Sequence, residues 1–232
     1  MKKYNLSFKI TAFIACLLLT TSCLKDLDTV PIDPNIVTSA TFYNSKQAYQ
    51  QVLAKIYGGF ALTGQKGPDG NQDIAGIDEG FSDYIRDYWY MQDMTTELAL
   101  WTWTDAGVPE LQVNNWTPSN SIVMGMYARI YYEITLVNEF VRESTDDKLS
   151  GKGFDESTTN EIKLYRAEAR LIRALCYYHA LDLFGSVPFV TENDKVGSFL
   201  PTQISKADLF SYIETELLDL ETLLAKIKQI II

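Results

Sequence analysis

Residues 162–188 read IKLYRAEARLIRALCYYHALDLFGSVP, and this stretch decides the fold. Ile162, Tyr165, Ala169, Ile172, Cys176, His179 and Leu183 recur at alternating steps of three and four. That spacing lays one apolar seam along a helix, suited to packing on a second helix. Gly185 ends the pattern and Pro188 confirms the stop, so the helix runs from about 160 to 184. Beside the seam, Lys163, Arg166, Arg170 and Arg173 form a basic stripe. Its expected role is to pair with carboxylates of neighbouring helices.

Working outward, the flanking segments are also helical. Pro118-Ser119-Asn120 supplies a cap for a helix whose Ile122, Met126, Ile130, Ile134, Val137 and Val141 share one face. Val123, Tyr127, Tyr131 and Leu136 mark other faces, so burial on more than one side is expected. Ser205 caps a last helix through Leu209, Ile213, Leu217, Leu220 and Leu224. Ser45 caps a helix expected over about 45–62, with Gly58-Gly59 weakening its end and Gly64 closing it. Residues 81–94 are aromatic with helical period. Asp146 to Thr159 is polar with two glycines and reads as a loop. No convincing strand exceeds a few residues. The class is all-α, with helical hairpins and long loop insertions.

Two of those insertions hold candidate sites. In 64–80, Asp69-Gly70-Asn71-Gln72-Asp73 places oxygen ligands at alternate positions, as a calcium loop does. The sixth position is Ile74 where glycine is needed, and the twelfth is Gly80, not Glu. A solvated turn is the plainer reading. Residues 95–120 are irregular and hold three of the four tryptophans. Trp101 and Trp103 lie two apart, so an extended backbone would put them on one face. With Asp105 and Asn114 they form the candidate ligand-binding set. An indole stacks on the C–H face of a sugar while amides and carboxylates take its hydroxyls. Trp89 and Trp116 are expected instead to pin the loop onto the helices.

The N-terminal end reads as a targeting segment. Lys2 and Lys3 precede a short apolar run, Ile10 to Leu19, and then Thr20-Thr21-Ser22-Cys23. The run is too short to span a bilayer, which takes ~20 residues. Small residues directly before a cysteine look like a bacterial lipoprotein signal, with Cys23 the lipidated first residue of the mature chain. An ordinary cleaved signal with an incidental cysteine is the alternative. The expected organisation is therefore 1–22 signal peptide, 23–44 lipid anchor and extended tether, and 45–232 helical domain. Loss of Lys2, Lys3 and Lys9 would take the net charge from −10 to −13.

Composition narrows the function. A net charge of −10 excludes the basic face that nucleic-acid binding needs. One histidine and three cysteines are too few for a His/Cys zinc site, and no metal or cofactor is expected. There is no G-x-S-x-G elbow and no phosphate loop. His179 lies on the seam and reads as packed, and Cys176 reads as a small core residue. Nothing selects a carboxylate pair for glycoside hydrolysis. The chain reads as a binding protein, not an enzyme.

Several stretches resemble the SusD/RagB family of outer-membrane nutrient-binding lipoproteins of Bacteroidota. Arg166 to Tyr178, continuing through Leu183-Phe184-Gly185-Ser186-Val187-Pro188, is similar to the family's A-E-A-R-x-x-R-A helix and F-G-x-V-P turn. Phe42-Tyr43, Trp89 to Glu97, Asp105-Ala106-Gly107 and Trp116 to Asn120 match as well. In the Trp89 to Glu97 run the usual Asp before Glu is missing. The resemblance implies a TPR-like helical scaffold. It also implies a role as lid of a TonB-dependent, SusC-like transporter, binding glycans or other nutrients for import. Family chains run to about twice this length, so the resemblance implies an N-terminal portion, incomplete at its C-terminus. A TPR-like interaction lipoprotein with no ligand of its own is the alternative reading.

Overall fold

The computed structural model describes Asp33 and residues 36–64, 72–78, 80, 82–194, 196–197 and 200–231. The signal peptide, Cys23 and most of the tether expected above lie outside the described residues. The elements all fall in one compact unit, Ser39–Ile232. They are α1 (Ser39–Phe42), α2 (Lys46–Gly58), α3 (Tyr84–Asp93), α4 (Val108–Gln112) and α5 (Ser121–Glu143), then α6 (Asp146–Ser150) and α7 (Glu156–Phe184). The strands β1 (Val187–Pro188) and β2 (Gln203–Ile204) precede α8 (Lys206–Ile231). The class is all-α, with a ribbon of two-residue antiparallel strands pairing Val187 with Ile204.

Capping residues set the helix starts. Ser45 Oγ accepts from Ala48 N, Asp83 Oδ1 from Arg86 N, and Asn120 Oδ1 from Ile122 N and Val123 N. Two boundaries differ from expectation. The 146–159 stretch is not all loop: Thr145 caps α6, and Asp155 caps α7 from Glu156. The cause is local, since each side chain accepts from the amide three residues on and so starts a helix in a polar segment. The second helix ends at Gly58 instead of 62, where Gly59 turns the chain.

The hub is α7, which packs against both α5 and α8. Its seam residues Ile162, Ala169, Ile172 and Cys176 are buried with Ile130, Ile134 and Val137 of α5 and Leu209 and Ile213 of α8. Burying each such aliphatic side chain is worth ~1.5–3 kcal/mol. Cross-links run antiparallel: Arg166 reaches Ser144, Arg173 reaches Asn138, and Tyr131 reaches Pro188. On α8, Arg170 meets Asp219 and Tyr177 meets Tyr212. These are the TPR-like hairpins. In contrast, α2 runs parallel to α7, through Lys46–Glu161 and Tyr57–Glu168.

The basic stripe pairs as expected. Lys163 and Arg166 hold Asp146, and Arg170 holds Glu216 and Asp219. Arg173, buried, binds Asn138, Glu192 and Glu216. Burial alone would raise the Glu216 carboxyl, but Arg170 and Arg173 outweigh it and hold Glu216 below the usual carboxylate range. After α7, Val190 is clasped on both its backbone groups by one phenol. Tyr177 Oη donates to Val190 O at 2.6 Å and accepts from Val190 N at 2.9 Å.

A second polar group lies inside the fold. Arg129 of α5 donates to Ser82 O and to Asp73 Oδ1, both at 2.7 Å. Asp87 and Glu133 are fully buried nearby, and none of their carboxylate oxygens has a hydrogen-bond partner. Burial pushes each up to about 8, against a smaller downward pull from Arg129. Among the described residues, no helix is long and apolar enough to cross a membrane.

Candidate functional site

A cleft of about 400 Å³ is lined by Gly80, Arg86, Trp101, Trp103 and Asp105. Three of the four candidate ligand residues thus meet in one place. Trp101 is held: its Nε1 donates to Asp105 Oδ2 at 3.1 Å. Its ring packs edge-on against Trp89 and Tyr90, with centroids 5.9 and 5.6 Å away. It also rests on a small core of Tyr90, Met94, Val108, Leu111 and Ile122. Trp103 is 70 % exposed. One indole is therefore an anchored wall and the other an open surface, with a carboxylate beside them.

Arg86 was not legible as a site residue. It stands in the first turn of α3, where Nη1 donates to Gly80 O at 3.1 Å and Nε lies 3.4 Å from Asp83. Its position one turn before Trp89 is the signal that helical phasing offers. Asn114 lies outside this lining. It occupies the turn after α4 with φ 53°, a left-handed conformation that Asn tolerates.

Other candidates resolve into structure. Asp73, last of the possible calcium ligands, is engaged by Arg129. Residues 69–71 lie outside the described residues. Among the described residues no cluster of three His, Cys, Asp or Glu could hold a metal. His179 Nδ1 is 2.8 Å from Tyr84 Oη, and its ring stacks on Tyr88 at 4.2 Å. Burial holds its pKa below the ordinary value, and burial pushes the Cys176 thiol up. Both belong to packing. A cavity of about 380 Å³ near Lys55, Gly59, Asp73 and Tyr132 has its one aromatic ring already under Lys55 Nζ, 5.8 Å from the centroid.

An array of antiparallel helical hairpins with an aromatic cleft beside the irregular loop between α3 and α4 is the class of protein so defined. No protein-family model matches the chain. Over 202 residues it is 36% identical to the starch-binding protein SusD of Bacteroides thetaiotaomicron, covering 87% of this chain and 33% of the relative. By that match it is similar to the SusD family over most of its own length. It spans about a third of the length of the curated relative, a smaller share than the half expected above. A solved structure, a SusD-like carbohydrate-binding protein from Bacteroides fragilis, shares the fold with a TM-score of 0.50 at 20% identity. That likeness covers 79% of this chain and 32% of the other.

Proposed function

We propose that this chain binds glycans, without catalysis, at the cleft of Arg86, Trp101, Trp103 and Asp105. The carrying observation is the juxtaposition of an exposed indole, an anchored indole, a carboxylate and a guanidinium around one cavity. A sugar ring lies its C–H face on Trp103, and Asp105 and Arg86 take its hydroxyls. The relative named for starch binding supports the ligand class. The proposal extends to an outer-membrane lipoprotein anchored through Cys23 at the cell surface, its tether shorter than the 23–44 expected from the sequence because α1 and Tyr43 already belong to the helical unit. There it passes nutrient to a TonB-dependent, SusC-like transporter.

Calorimetric titration with malto-oligosaccharides tests the cleft. Trp103→Ala is expected to weaken binding at least tenfold, as loss of a ~2 kcal/mol stacking contact does. The thermal midpoint should stay put, because Trp103 is exposed. A folded wild-type chain that binds no glycan, or a Trp103→Ala chain with full affinity, overturns the reading.

A further inference from the structure

We propose that Trp116 forms a second saccharide subsite, so that the chain reads an oligosaccharide at two separate points. This rests on the glycan reading above and adds a place that the first cleft does not include. A cavity of about 280 Å³ is lined by Trp116, Gln92, Thr95, Asp182, Met91 and Leu111, among others. That is just below the usual range for ligand pockets, ~300–1,000 Å³. It fits one sugar unit better than a large rigid ligand.

Three observations carry the assignment. First, 42 % of Trp116 is exposed, which leaves part of its indole open to a ligand. Second, the polar side chains beside it are pre-set. Gln92 Nε2 of α3 donates to Asp182 Oδ2 of α7 at 2.7 Å, so two planar groups from different helices fix each other. A carboxylate has about four acceptor sites, and this bond uses one. Such fixed acceptors beside an open indole suit vicinal hydroxyls, and little ordering entropy is lost on binding. Third, Leu111 lines this cavity and belongs to the small core on which Trp101 rests, and Met91 and Val123 line the cavity and pack against that core. The two clefts are thus mounted on one packed unit and keep a fixed separation. A ligand long enough to reach both gains from the effective concentration of its second contact.

The test is a length series, from maltose to maltoheptaose to soluble amylose, titrated against the wild-type chain and three variants. Wild-type affinity should climb at least tenfold once a chain spans both clefts. Trp116→Ala should abolish that climb and leave maltose affinity and the thermal midpoint unchanged. Asp182→Asn, which keeps the shape of the side chain, should reduce the climb. Trp103→Ala should lower affinity at every length. A climb that survives Trp116→Ala, or a midpoint collapse in both Trp116→Ala and Asp182→Asn, overturns the second subsite alone. Absence of wild-type binding at every length overturns it together with the glycan reading.

Discussion

The carboxylate of Glu133 occupies the space that a side chain at Gly59 would need. Gly59 has ordinary helical angles, φ −60° and ψ −21°, so its backbone alone would accept alanine. The three atoms nearest to a Cβ there all belong to the Glu133 carboxylate. Gly59→Ala is expected to cost ~1–3 kcal/mol, as overpacking does. In a Glu133→Ala background the same change should become neutral or stabilise by up to ~1 kcal/mol. Chemical denaturation of the four-member cycle measures the coupling. Equal costs in both backgrounds would refute it.

Asp87 and Glu133 also give the protein a pH dependence. Their unfolded values are ~4, whereas burial puts each at about 8 in the folded state. The folded state therefore binds protons that the unfolded state releases. The stability they contribute is whole below ~4 and is lost as pH rises through 8. His179, held low, works in the opposite direction near ~6.5. A comparison with Asp87→Asn plus Glu133→Gln isolates the carboxylates. Between pH 5 and 9 the wild-type midpoint should fall by ~5 °C or more relative to this variant. Parallel curves would contradict the assignment.

Two ion pairs on α7 should differ sharply in worth. Arg173 and Glu216 have side chains 3% and 10% exposed, whereas Asp146 is 64% exposed. Glu216→Ala removes the carboxylate that Arg170 and Arg173 share, leaves Arg173 with Glu192 and Asn138, and should cost ~1–3 kcal/mol. Asp146→Ala, which loosens Lys163 and Arg166, should cost ~0–1 kcal/mol. Urea titration separates these, and similar small losses would mean that α8 is not held by this network.

The anchor can be tested apart from the fold. Cys23→Ala should leave the protein uncleaved or soluble in the periplasm, with no incorporation of labelled palmitate. A mutant that still fractionates with the outer membrane and takes up label would exclude Cys23 as the lipidation site.

The helices were legible because their seams are apolar and periodic: Ile162 to Leu183, and Ile122 to Val141, mark faces that water expels. The basic stripe was legible for a related reason, since four cations beside a seam need partners. The Asp87–Arg129–Glu133 interior was not. Polar residues at helical spacing read as a solvated face, and Ser82 and Asp73 meet Arg129 from 47 and 56 residues away. Short-range periodicity carries no such information. In the candidate site, the two-residue step brought Trp101 and Trp103 together on paper. Arg86 arrives from another element, and Asn114 lies in the turn after α4, outside the cleft's lining.

Tyr177 has a consequence for the segment behind α7. Val190 belongs to neither short strand, yet its amide and carbonyl are both satisfied by one phenol. A side chain here replaces the neighbouring strand that a ladder would supply. The exchange of the Val190 amide with solvent is then governed by the unwinding of α7 and not by fraying of the ribbon. Val190 thus shares the lifetime of the central helix.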